Sequence, residues 1–304
     1  MRRQTLALIE IIVAGACWGL SAVIAKFAFD RGVPPTRMAE ARVVVALVVL
    51  LIFVAARRPE LLRPPPRSLP LLAGFGVCVA AVNGSYYIAI DRLPVGVALS
   101  LQYTAPVLLL GLAAFTGKRS PGRPAWVAAA STLLGATLVS GAYRGFRGID
   151  APGLVAGAAS AVFFGLYLLA ADAAGRRHVH AATLLLWGFV FAVLTWSVAA
   201  PWWSWPWGKL HEGPVAWSVV GVGLVGTLAP FFLAVAAVPV LSAALAGIAA
   251  TVEPPFAAAF AWLLLGQRLS GVQIVGGALV LVGVVLAQRS TSLHPDALAV
   301  ESAP

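Results

Sequence analysis

The chain alternates long apolar runs with short polar breaks from its first residues to about residue 290. Ten of these runs are long enough to cross a bilayer as a helix, which takes about 20 residues. They cover roughly 6–28, 38–56, 70–90, 95–116, 125–143, 152–171, 181–199, 214–236, 243–265 and 271–288. The first follows Arg2-Arg3 and opens like a signal peptide. It stays apolar too long for one, and nine further runs follow, so it reads as a helix. The polar stretch after Arg289 reads as disordered. The pattern therefore predicts an all-α integral membrane protein with ten transmembrane helices.

Two runs carry features that do not belong in a plain span. Glu253 lies near the middle of the ninth, where an acid costs on the order of 2.5–3.5 kcal/mol unless it is neutral, paired or wet. Pro254 and Pro255 follow it and remove the N–H groups that would bond the carbonyls of Ala250 and Thr251. Such a break is tolerated at membrane depth only where protein or a water-filled cavity re-satisfies the freed groups. The arrangement points to a polar binding site; the alternative is a neutral Glu253 that locks helix packing. In the fourth run Pro106 frees the carbonyl of Gln102, and Tyr103 is next to it. Gln102 and Tyr103 either line a cavity or act as hydrogen-bonded glue between helices.

These two runs also align with each other. Ala89-Ile90-Asp91-Arg92-Leu93-Pro94 matches Ala237-Val238-Pro239-Val240-Leu241-Ser242, and Pro106 then matches Pro254. Gly117-Lys118-Arg119 matches Gly266-Gln267-Arg268, and Trp18-Gly19 in span one matches Phe164-Gly165 in span six. The chain reads as two five-span units, residues 1–145 and 146–290, with a tail at 291–304. Five is odd, so the second unit must enter the membrane upside down. Inverted repeats with interrupted helices in matching positions characterise secondary transporters, with the site at the repeat interface.

Composition supports the class: 61% of residues are hydrophobic and 11% charged, where a soluble domain carries about a quarter charged. The net charge of +10 does not indicate nucleic acid here, because most basic residues sit in short loops and set topology. With the N-terminus cytoplasmic, the inner side holds Arg2, Arg3, Arg57, Arg58, Arg63, Arg67, Lys118, Arg119, Arg123, Arg176, Arg177 and Arg289. The outer side holds the smaller set Arg31, Arg37, Arg92, Arg144, Arg147, Lys209 and Arg268. Both termini are thus expected in the cytoplasm and the protein in the cell membrane. Cys17 and Cys78 fall inside apolar runs and read as core residues. No histidine has a partner at metal-ligand spacing and no nucleotide-binding loop is present, so neither metal nor cofactor is expected.

The residues resemble the EamA-like branch of the drug/metabolite transporter superfamily. Ala16-Cys17-Trp18-Gly19-Leu20-Ser21 with Lys26 is similar to the family's Trp-Gly and following lysine. Ala41-Arg42 is similar to its arginine near the start of the second helix, and Glu253-Pro254 to its Glu-Pro step. Gln267 departs from the family's Gly-Glu, so no acidic role is assigned there. The resemblance implies a ten-helix bundle moving small metabolites, often outward.

The remaining candidates have competing readings. Asn83, Tyr86 and Tyr87 share one helical face and line a polar, aromatic chamber or anchor the interface. Trp18 with Ser21, and Phe164 with Tyr167, form an aromatic wall suited to an amphipathic or cationic solute, or a core stripe. Lys26 pairs with Asp30, or joins Arg42 as an outer gate or anion attractor; snorkelling is the alternative for both. Pro201-Trp202-Trp203-Ser204-Trp205-Pro206-Trp207 reads as an interfacial belt, or as an outer lid. Gly15 with Gly19 and Gly153 with Gly157 permit close helix approach. A gradient-driven exporter of an amino acid, amine, nucleobase or drug-like compound is the leading function, with Glu253 the candidate for proton coupling. A membrane sensor or structural subunit, and a lipid-modifying enzyme, are the alternatives. Oligomeric state is left open.

Overall fold

A computed structural model describes residues 2–93, 95–116, 121–144, 150–266 and 268–292, and among them there is no strand. Lys118, Arg119, Arg147, Gln267 and the tail beyond residue 292 lie outside the described residues. The helices are α1 (Arg2–Phe29), α2 (Pro35–Arg57), α3 (Leu69–Arg92), α4 (Val95–Gln102), α5 (Ala105–Thr116), α6 (Arg123–Ser140) and α7 (Ala151–Arg176). They continue with α8 (Ala181–Ala199), α9 (Gly213–Gly223), α10 (Ala229–Leu241), α11 (Ala243–Ala250), α12 (Glu253–Leu265) and α13 (Gly271–Ser292).

Among the described residues, eight helical segments are long and apolar enough to cross a membrane. The other two expected spans are also helices. α6 opens on Arg123-Pro124 and carries Ser131, Thr132, Thr137 and Ser140, which dilute its apolar content. α13 is apolar over Gly271–Ala287. These two helices pack along each other. Gly135 and Gly276 bring the backbones together, each lying against the other's carbonyl region, and Gly283 lies against Ala128 and Thr132. Ser131 Oγ also donates to the carbonyl of Leu279 at 2.9 Å.

Spans four and nine are both broken, in the same form. Each is an eight-residue helix, α4 or α11, then a two-residue turn, then a longer helix. The turns are Tyr103-Thr104 and Thr251-Val252. Pro254 and Pro255 stand just after the second turn. They occupy the first turn of α12, where a missing N–H is tolerated because it would have no intrahelical partner. Hydrogen bonding resumes with Phe256 N–H to Val252. Pro106 sits at the equivalent place in α5. In both turns a threonine hydroxyl donates back three residues, Thr104 to Leu101 at 2.7 Å and Thr251 to Ile248 at 2.6 Å.

Packing between the halves is reciprocal. α1 lies on α11 and α12, and α7 lies on α4 and α5. α1 also packs on α10, and α7 on α3; α2 packs on α8, and α6 on α13. The expected glycine pairs make the first of these contacts. Gly15 and Gly19 admit Val252, the backbone nitrogen of Glu253, and the Phe256–Ala257 backbone. Gly157 admits Leu101, and Gly153 the side chains of Arg92 and Leu93.

Candidate functional site

The site is built on the two turns. Glu253 opens α12, so its carboxyl stands at a helix N-terminus, where aligned N–H dipoles favour negative charge. It accepts a hydrogen bond from the Tyr103 hydroxyl at 2.6 Å. Tyr103 is itself in the turn between α4 and α5 and is only 1% exposed. The carboxyl therefore faces the interior and ties one broken span to the other. Glu253 keeps part of its surface accessible, while Thr251, Val252 and Pro254 around it are buried. Arg42, Tyr86 and Tyr167 lie within electrostatic range of it.

A continuous aromatic wall runs beside the carboxyl. The Tyr103 ring meets Phe164 at 6.1 Å between centroids, Phe164 meets Tyr167 at 5.4 Å, Tyr167 meets Phe231 at 5.5 Å, and Phe231 meets Trp18 at 5.9 Å. Phe75 and Phe189 close it from α3 and α8, at 5.9 Å from Tyr167 and 6.0 Å from Phe231. The expected partners Trp18, Phe164 and Tyr167 are brought together; Phe231, Phe75 and Phe189 were not foreseen. Within the wall the Tyr167 hydroxyl is buried without a hydrogen-bond partner, and so is Oε1 of Gln102 beside the first turn. Buried polar atoms are normally paired, and an orphan in a site is open to a ligand or water.

Arg42 corrects the snorkelling alternative. It is 8% exposed and reaches inward to the span formed by α9 and α10. Between those helices the chain makes one π turn, Leu224–Leu228. Arg42 Nε donates to Thr227 Oγ1 at 2.7 Å, and a terminal nitrogen donates to the Gly226 carbonyl. The reason is readable in the sequence: Pro230 has no N–H, so the Gly226 carbonyl four residues earlier has lost its helical donor. π turns of this kind occur mostly as single insertions, often at functional sites. Ser21 of α1 is buried against Gly226, which places it at the π turn.

Of the other expected residues, Tyr86 stays within electrostatic range of Glu253 and Arg42, and the rest separate. Lys26 is exposed and pairs with Asp30 at 3.2 Å, the local account, with no gate in view. Asn83 is buried and donates to the Val79 carbonyl of its own helix at 2.7 Å. Tyr86 stacks edge-on with Tyr87, which meets Phe29. In the tryptophan-rich loop Trp202, Trp203 and Trp207 are exposed, but Trp205 is buried with Ala28, Met38 and Val215. Arg37, bonded to buried Glu40 at 3.2 Å, holds Ser204 of that loop at 2.6 Å. The loop thus caps α1, α2 and α9 through Trp205 and leaves its other three tryptophans exposed.

The comparisons with known proteins agree with this architecture. The profile of the EamA-like transporter family matches residues 5–141 and again residues 151–288. The threonine/homoserine exporter RhtA of Escherichia coli K12 is 28% identical over 238 residues, covering 76% of this chain and 75% of its own. An uncharacterised transporter of Archaeoglobus fulgidus is 28% identical over 226 residues, covering 74% and 77%. A solved crystal structure that is 20% identical superposes with a TM-score of 0.76 over 94% of this chain and 98% of its own, and supports the fold. The chain is a multi-pass membrane protein of the EamA-like transporter family.

Proposed function

We propose that the protein is a secondary exporter of a small organic solute, working by alternating access between two five-helix halves of opposite orientation. The observation that carries this reading is the 2.6 Å bond between Tyr103 and Glu253. It joins the turns of the two broken spans at the point where the halves meet. Reciprocal packing supports a pseudo-twofold relation: each half lays its first helix on the other's broken span. Two equivalent half-molecules that meet this way can rock about a central site and open it to either side.

In this reading Glu253 is the coupling group. It is the acid that links the two broken spans, and it alternates between the Tyr103 hydroxyl and a proton or cationic group of the solute. The driving force is then an ion gradient. Ten spans with both termini in the cytoplasm satisfy the distribution of basic loops in the cell membrane. The RhtA relatives, named for threonine and homoserine, favour an amino acid among the solute classes that the chemistry allows.

The test is gradient-driven flux in proteoliposomes made from the full chain. Glu253→Gln keeps the shape of the side chain and should stay folded and monodisperse while losing gradient-driven flux. Unchanged flux in that variant would remove Glu253 from the mechanism.

A further inference from the structure

The interior of the bundle holds a cation and an anion that do not pair with each other. Arg42 is buried and bonds only to neutral acceptors, the Thr227 hydroxyl and the Gly226 carbonyl. These bonds use Nε and one terminal nitrogen; among the described residues the other terminal nitrogen, Nη1, makes no hydrogen bond. Glu253 has the Tyr103 hydroxyl alone. Among the described residues neither takes part in an ion pair, although Arg42 lies within electrostatic range of the carboxyl.

A charge removed from water without a counter-ion is strongly unfavourable, and proteins normally pair it. Here each charge is instead held by neutral groups that fix its position. Arg42 is fixed by the π turn, and the π turn is fixed by Ser21 of α1 against Gly226. Glu253 is fixed by Gly15 and Gly19 of the same helix, against which its turn is packed. One helix, α1, therefore packs against both the π turn and the turn before Glu253. The Trp18–Phe231–Tyr167 wall links the two regions, and the unpartnered Tyr167 hydroxyl belongs to that wall.

We propose that these opposed charges recognise a zwitterionic α-amino acid. Its carboxylate docks on the free edge of the Arg42 guanidinium, and its ammonium docks on Glu253 with the Tyr167 hydroxyl as a further acceptor. The aromatic wall takes an uncharged side chain. A planar guanidinium is suited to a carboxylate because two parallel N–H donors match its two oxygens. This inference deepens the exporter reading and rests on it.

The experiment measures binding to the purified full chain in nanodiscs by thermal shift and calorimetry. The probes are L-threonine, L-homoserine, L-valine, L-leucine and L-phenylalanine, each beside its carboxamide and its N-acetyl derivative. At least one amino acid should bind, and both of its derivatives should bind at least tenfold more weakly. Arg42→Gln should abolish the preference over the carboxamide and keep that over the N-acetyl form; Glu253→Gln should do the reverse. Arg42→Lys, which keeps the charge but not the fork, serves if Arg42→Gln does not fold, and should retain a reduced preference over the carboxamide. The proposal is overturned if no probe binds, if the carboxamide binds as well as its acid, or if the folded Arg42 variant weakens acid and carboxamide equally. Flux of some other solute without amino-acid binding would overturn this assignment and leave the transport reading standing. Absence of flux for every solute would remove the transport reading itself.

Discussion

The two broken spans share a backbone and differ in their chemistry. Each has an eight-residue helix, a two-residue turn, a threonine hydroxyl bonded three residues back, and proline in the first turn of the next helix. Where α12 opens on Glu253, α5 opens on Ala105, which is 0% exposed and packed in the core. The helix N-terminus is present in both halves, and only one carries an acid. The first break instead contributes Tyr103, the donor to that acid. Two jobs are separate: the break supplies a two-residue turn that opens a new helix, and the residue beside it supplies the chemistry.

The strongest challenge is to give both breaks an acid. Ala105→Glu places a second carboxyl in a buried position, for a cost of about 2.5–3.5 kcal/mol on an insertion scale. Melting of the purified variant should fall accordingly, with no gain in flux. A stable Ala105→Glu protein that restores flux to Glu253→Gln would show that the halves are interchangeable and that the acid need not sit in the second.

A smaller effect tests what lies against each break. A methyl at Gly19 meets the Phe256–Ala257 backbone, whereas one at Gly157 meets the side chain of Leu101. Backbone cannot step aside, so Gly19→Ala should lower stability by about 1–3 kcal/mol through overpacking. Leu101 can change rotamer, and alanine is the better helix former, so Gly157→Ala should be close to neutral. Paired thermal melts read the difference. Equal losses would mean that the first break is as rigidly seated as the second.

Much of this was legible in the sequence because the bilayer imposes harsh rules. Apolar runs had to be helices, prolines had to release carbonyls, and an acid in a span had to face something other than lipid. The partner of Glu253 was harder. Tyr103 was named for its place beside Pro106, but nothing along the chain says which phenol, 150 positions away, reaches the carboxyl; that depends on how the halves dock. For Arg42 the sequence left snorkelling open beside an anion-attracting role, for a more instructive reason. An arginine near a helix end snorkels unless a buried acceptor waits for it, and that acceptor was signalled by Pro230. The same logic that singled out Pro106 and Pro254 applies to Pro230 and the Gly226 carbonyl. The shortfall in α6 has another origin: Ser131 and Thr132 dilute its hydropathy because they lie against α13, where Gly276 and Gly283 admit the neighbouring backbone.

The smallest expected effect is the most specific to the comparison. Thr104→Val and Thr251→Val each keep the shape of the side chain and delete one hydroxyl. The acceptor is not orphaned in either case. The Leu101 carbonyl also takes the Thr104 N–H at 3.0 Å, and the Ile248 carbonyl takes the Thr251 N–H at 3.2 Å. Each loss should therefore sit near the low end of about 0.5–1.5 kcal/mol for a neutral hydrogen bond. If the breaks are one device used twice, the two losses in melting free energy match. Flux should not match, because Thr251 stands two residues before the carboxyl and its hydroxyl tightens the turn that presents Glu253 to Tyr103. Thr251→Val should slow transport while Thr104→Val leaves it near the parent rate. Equal slowing in both would mean that the first break moves the solute as directly as the second, and that the acid marks a difference of chemistry but not of mechanical role.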